Sequence, residues 1–252
     1  MASYGTIPAM LRKIRASDAA KEYERQLLDI SVAELSFEDR LSLILDRELS
    51  QRDSRRTARY IHEAGFRLRC YPEEIDYQQS RSVSKQVMSQ VLSLSFVEAR
   101  HNILIFGPTR IGKTFLTCAI GMEACIQKIS TRYFRVSTLL ERLAIARADG
   151  SYRSFAQKLS RIELLLLDDW GLSPISVTGS RELLDVLDDR VGISSTIISS
   201  QLPLEAWHSS MEDGADAVLD RVIHDSIRLD LKGESMRKLR AAKQSETTQT
   251  KQ

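Results

Sequence analysis

The stretch Gly107-Pro108-Thr109-Arg110-Ile111-Gly112-Lys113-Thr114 narrows the folds open to this chain more than any other feature. It fits G-x-x-x-x-G-K-[ST], a loop whose glycines let the backbone curl until successive N–H groups point at phosphate oxygens. Such a loop needs a strand before it and a helix after it. Both are present: apolar Ile103-Leu104-Ile105-Phe106 leads in, and a helical pattern over Phe115–Cys125 leads out. That helix directs the positive end of its dipole at the same phosphates. Lys113 supplies a point charge for the β- and γ-phosphates, and the Thr114 hydroxyl a ligand for Mg²⁺. The pattern predicts a site for ATP and Mg²⁺, with all eight residues Gly107–Thr114 around the phosphates.

A second feature belongs with it. Leu164-Leu165-Leu166-Leu167 reads as a fully buried strand, and Asp168-Asp169 emerge at its C-terminal end. Ligands of open α/β sheets bind beyond the carboxyl ends of the strands. Asp168 is therefore placed to hold the Mg²⁺ shell, and Asp169 to polarise an attacking water. The reaction this predicts is Mg²⁺-dependent ATP hydrolysis.

The surrounding texture agrees. Short apolar runs at Asn102–Phe106, Thr131–Val136, Leu164–Leu167, Ser195–Ser199 and Ile227–Leu231 alternate with helical patterns near 112–128, 138–147, 178–191 and 215–224. Alternation of this kind predicts an α/β fold, a parallel sheet with helices on both faces. Residues 1–75 read instead as a small helical domain, with apolar positions such as Leu41, Ile44, Leu45 and Leu49 at helical spacing and a helix start at Ser36 followed by Glu38-Asp39. Residues 76–100 read as a connector, 101–240 as the nucleotide-binding domain and 241–252 as a frayed tail.

Net charge is only +2, so local clusters must point to partners. Arg52, Arg55, Arg56 and Arg59 fall on one broad helix face. That face suits either phosphate tracking or plain solvation. Three cysteines without a CxxC spacing, no signal-like N-terminus, and no apolar run near the ~20 residues of a membrane span predict reduced thiols, a cytoplasmic location and no membrane partner. His101-Asn102 precedes the first strand, where an adenine pocket is a weak expectation.

GPTRIGKT and LLLLDDWG resemble the two nucleotide motifs of the AAA+ ATPases. Gln201-Leu202-Pro203, Trp207, Asp220-Arg221 and Gly233-Glu234-Ser235-Met236-Arg237 are similar to the IstB-like transposition helpers, relatives of the DnaC-type helicase loaders. The resemblance runs over about residues 7–240 and implies an AAA+ sheet without a full C-terminal lid. It implies a γ-phosphate sensor at Gln201, with Ser200 as runner-up and an ordinary turn residue as the plain alternative. It implies a trans-acting arginine finger at Arg221, against a surface ion pair with Asp220 or Asp225. It implies a second sensor at Arg237, against a basic tail residue. It favours double-stranded DNA for the arginine face, oligomer assembly on that DNA, and recruitment or stimulation of a separate transposase. A DnaC-like helicase loader and an ATP-gated DNA-coating protein with little turnover are the rivals. Where the family loop carries small residues, this chain has Arg110 and Ile111, which predicts a stiffer loop.

Overall fold

A computed structural model describes residues 6–32, 34–77, 83–172, 175–209 and 216–233. The chain divides into two compact units, Met1–Arg59 and Tyr60–Gln252.

In the first unit α1 (Thr6–Lys13), α2 (Ser17–Leu28) and most of α3 (Phe37–Ala64) surround a small core of Ala16, Ala19 and Ile44, with Leu11 and Tyr23 packed on it. Ser36 starts α3 as the sequence suggests: its Oγ accepts from Asp39 N at 3.1 Å and donates to Asp39 Oδ2 at 2.7 Å. So small a core is supplemented by polar bonds. The buried Glu48 carboxylate accepts from two N–H groups in the first turn of α2, Asp18 and Ala19, at 2.9 and 3.0 Å. It thereby satisfies donors that a helix start leaves unpaired.

The second unit begins with the end of α3, then α4 (Lys85–Leu92) and α5 (Ser95–Glu98). Five parallel strands follow: β1 (Asn102–Phe106), β2 (Thr131–Arg135), β3 (Leu164–Trp170), β4 (Ser195–Ser200) and β5 (Ser226–Asp230), in spatial order β2-β3-β4-β1-β5. The remaining helices are α6 (Lys113–Ile126), α7 (Val136–Ala148), α8 (Tyr152–Ser160), α9 (Val177–Asp188), α10 (Glu205–Ser209) and α11 (Asp216–His224). Strand alternation divides the core in two. Ile103, Ile105, Leu164, Leu166 and Ile197 face α4, α5 and α6, while Leu104, Phe106, Leu165, Leu167 and Ile198 face α7, α8, α9 and α11. Residues 83–100 contribute Met88, Val91 and Phe96 to the first of these faces. No helix is long and apolar enough to cross a membrane among the described residues.

Arg190 is the most unusual member of this core. It is 1% exposed, and its guanidinium donates to the carbonyls of Leu159, Ile162 and Ser195 at 2.5, 2.8 and 2.6 Å and to Thr196 Oγ1 at 3.1 Å. It stitches the end of α8 to the start of β4. Arg190→Ala should leave those buried acceptors without their donor and cost about 3–5 kcal/mol. Urea unfolding of the purified variant checks this. A loss below about 1 kcal/mol would mean the carbonyls simply rehydrate.

Candidate nucleotide site

The loop 107–112 leaves the carboxyl end of β1 and enters α6 at Lys113. Gly107 has φ +148°, and a Cβ there would meet the Leu231 carbonyl oxygen at 2.6 Å. Gly112 caps α6 with φ +104°. Both positions therefore need glycine. Arg110 adopts φ +68°, a conformation uncommon outside glycine. Ile111 is 1% exposed and packs into the core against α6. Ile111 thus anchors the loop from below, while Arg110 is exposed.

Lys113 is buried and its Nζ donates to the carbonyls of Gly107 and Pro108 at 2.7 and 3.0 Å, bracing the loop from inside. Burial lowers its pKa, and the nearby charges of Asp168 and Asp169 oppose that shift. Thr114 Oγ1 donates to Asp168 Oδ2 at 2.8 Å. Asp168 is fully buried and collects two more hydroxyl donors, Tyr133 at 2.7 Å and Ser199. Lys113, Thr114 and Asp168 thus meet at the carboxyl end of the sheet, with hard oxygen donors of the kind Mg²⁺ takes.

The sequence ends β3 at Leu167, but the strand continues through both aspartates to Trp170. The reason is a bulge. Leu167 pairs with Ile198 and Trp170 with Ser200, so Asp168 and Asp169 together oppose Ser199. The extra residue restores Trp170 to the face that Leu167 occupies, where it stacks on Trp207 at 4.9 Å. It also turns Asp168 inward and leaves Asp169, at φ +62°, part exposed. Bulges next to sites re-aim side chains in this way. Burial, then the charge of Asp168, raises the Asp169 pKa against the pull of Arg67, Arg135 and Lys113. Asp169 Oδ2 stands 3.5 Å from Arg67 Nη1 and 3.6 Å from Arg135 Nε. Nothing in the sequence spacing pointed to Tyr133, Ser199, Arg67 or Arg135.

Gln201 follows β4, and Thr109 Oγ1 donates to its Oε1 at 2.6 Å, so it touches the loop. Ser200 turns away: its Oγ donates to the Trp170 carbonyl and accepts from Leu202 N and Trp207 Nε1. Arg221 lies on α11 and pairs with Asp188 at 2.8 Å, on a helix the sequence did not link to it. Arg237 lies outside the described residues, as does the tail. Asn102 sits at the opposite end of β1 from the loop. Its buried amide joins Val222 O to Thr196 N at 3.1 and 2.8 Å. In the first unit Arg52 pairs with Glu48 at 2.6 Å and donates to the Arg15 carbonyl at 2.9 Å, and Arg55 pairs with Asp18. Arg56 and Arg59 are exposed on the same helix.

Residues 9–245 match the family model described as IstB-like ATP binding protein. An insertion sequence ATP-binding protein of Sinorhizobium fredii is 39% identical over 221 residues, covering 87% of this chain and 90% of that one. The ATP-binding protein of insertion sequence IS1162 from Pseudomonas fluorescens is also 39% identical, over 77% of this chain and 85% of its own length. Among solved structures, the crystal structure of DnaI superposes with a TM-score of 0.55 at 16% identity, covering 65% of this chain and 92% of that chain, a likeness of fold.

Proposed function

This chain belongs to the family of IstB-like ATP binding proteins, and we propose that it is an ATP-hydrolysing helper of transposition that assembles on double-stranded DNA and recruits or stimulates a separate transposase. One observation carries the reading: at the carboxyl end of a parallel sheet Lys113 braces the Gly107 and Pro108 carbonyls of the loop while Thr114 donates to the buried Asp168. Its relatives, ATP-binding proteins of insertion sequences, support the transposition half.

In this reading the loop amides and Lys113 bind the β- and γ-phosphates, with Lys113 exchanging its carbonyl partners for phosphate oxygens. Thr114 and Asp168 would hold Mg²⁺, and Tyr133 and Ser199 fix the Asp168 carboxylate. When bound, Mg²⁺ would supply positive charge to offset that of the phosphates. Asp169 orients and polarises the attacking water, its raised pKa bringing it closer to a useful base. Gln201, beside Thr109, senses the γ-phosphate. Arg221 reaches a neighbouring subunit's site once chains assemble, and Arg237 serves its own.

Arg52, Arg55, Arg56 and Arg59 on α3 are assigned to the phosphate backbone, and Arg52 and Arg55 also pair with Glu48 and Asp18. Arg56→Ala with Arg59→Ala should weaken duplex binding almost equally for unrelated sequences and lower the salt slope by about 2, one unit for each lost contact. Arg52→Ala with Arg55→Ala should do the same and also loosen the helical unit, visible as earlier melting. Fluorescence anisotropy in ATP, with a pull-down of candidate transposase and helicase, tests the whole reading. Capture of a replicative helicase and no transposase would transfer the chain to helicase loading.

A further inference from the structure

β5 forms one margin of the sheet, with β1 on its inner side. Hydrogen bonds fix which of its backbone groups face outward. The Asp225 carbonyl accepts from Asn102 N at 2.9 Å, and Leu231 N donates to the Phe106 carbonyl at 2.8 Å. In a parallel pair alternate residues bond to the neighbouring strand, so residues 225, 227, 229 and 231 face β1. Ser226, Arg228 and Asp230 turn their N–H and C=O groups away from it, and no strand pairs with that side among the described residues. Side chains alternate across the sheet as well. Leu229 and Leu231 are buried on the α6 side, whereas Arg228 and Asp230 are exposed on the other. Edge strands are commonly blunted by proline, a bulge or an inward-pointing charge. β5 has no proline and keeps an unbroken register with β1. Its two charges are of opposite sign and stand symmetrically about Leu229.

That symmetry makes the edge complementary to itself. We propose that β5 is an interaction surface for a second copy of this chain, the two strands pairing antiparallel about a two-fold axis at Leu229. Arg228 of each copy then lies opposite Asp230 of the other. Both residues face outward, so each of these positions is a hydrogen-bonded pair that closes two N–H···O=C bonds. Opposite charges across such a pair favour it, and like charges oppose it. Moving the axis to residue 228 would set arginine against arginine, and moving it to residue 230 aspartate against aspartate. Charge therefore selects the Leu229 register. On the other face Ile227 of each copy comes opposite Leu231, which continues the core on the α6 side across the axis. The interface is isologous, the same patch serving on both copies. A single strand pair buries less than the ~1,200 Å² of standard interfaces, so the dimer is weak and depends on concentration. Antiparallel pairing points the two loops 107–112 in opposite directions. It uses no residue assigned to nucleotide or DNA, and is judged apart from that reading.

Charge reversal on the full chain, without nucleotide or DNA, tests the pairing by sedimentation velocity from low to high micromolar concentration. The unaltered chain should dimerise reversibly. Arg228→Asp sets like charges opposite one another, and so does Asp230→Arg, so each should weaken self-association about tenfold. Mixed in equal amounts, the two variants should associate at least as well as the unaltered chain, because every opposed pair is again of opposite sign. The chain carrying both changes should likewise regain self-association. Cysteine pairing reads the register and stands in if a reversed chain fails to fold. Across a hydrogen-bonded pair the Cα atoms lie ~5.5 Å apart, within disulfide reach. Arg228→Cys mixed with Asp230→Cys and oxidised with diamide should give a linked dimer, and either alone should give none; the three native cysteines are buried. Self-linkage of Arg228→Cys in place of the mixed product would overturn the Leu229 axis. Association as strong in both reversed chains as in the unaltered one would overturn the interface, as would an unaltered chain that stays monomeric and yields no mixed linkage. Slow hydrogen exchange at the Arg228 and Asp230 amides in dilute monomer would overturn it too, by placing another segment of the same chain on the edge.

Discussion

Lys113→Ala is expected to lower ATP affinity by about ten- to a hundredfold, the equivalent of one charge-assisted contact of about 1.5–3 kcal/mol. The structure gives the reason and a necessary control. Without nucleotide, Nζ ties the Gly107 and Pro108 carbonyls together, so the lysine shapes the loop as well as charging it. Removing it takes away a phosphate ligand and the brace that keeps the loop curled. Lys113→Met retains most of the buried stem and should lose almost as much affinity, which separates charge from packing. Fluorescent nucleotide titration measures both, with urea unfolding beside it to show that the sheet is intact. Affinity within about twofold of the unaltered chain in either variant would remove the loop from the account.

Arg221→Ala should reduce DNA-stimulated hydrolysis far more than it reduces nucleotide binding. A fully engaged arginine finger is worth about 10³–10⁵ in rate. Within one chain Arg221 pairs with Asp188, and both side chains are about half exposed (52% and 46%). Pairs of that kind contribute on the order of 1 kcal/mol or less, so the Asp188 pair itself holds the arginine only weakly. Mixing discriminates the two roles. Arg221→Ala keeps a sound pocket without a finger, and Lys113→Ala keeps a finger without a sound pocket. Each alone should be inactive. Mixed on DNA they should recover part of the activity, because some junctions join a sound pocket to a sound finger. Co-assembly without recovery would show that Arg221 does not act in trans, and normal hydrolysis by Arg221→Ala alone would leave it as the partner of Asp188.

The parallel sheet was legible because a strand buried on both faces reads as a short continuous apolar run: β1 is the run Asn102–Phe106 itself. Legibility ended where one residue breaks a period. Two aspartates in succession read as the end of a strand, yet the bulge at Asp168-Asp169 carries β3 on to a buried Trp170. A tryptophan just past the acids was the available sign. Helix α8 was passed over because Gly150 and Ser151 look like a loop, although Tyr152, Phe155 and Leu159 keep a helical interval and pack on the core. In the site, the loop, Thr114 and Asp168 could be named because motif spacing fixes them. The Asp168 partners Tyr133 and Ser199 and the Asp169 partners Arg67 and Arg135 arrive from separate elements, up to 102 residues away, and no spacing encodes such meetings. The same limit hid the pairing of Arg55 with Asp18, which turns part of a seemingly uniform basic face to structural use.

The most direct measurement is phosphate release from ATP by the full chain, with Mg²⁺, across a titration of duplex DNA, beside Asp169→Asn. The account predicts Mg²⁺-dependent release that rises with DNA and is largely lost in Asp169→Asn, while that variant still binds ATP. Release that ignores DNA and survives Asp169→Asn, or no release from the unaltered chain under any of these conditions, would contradict it.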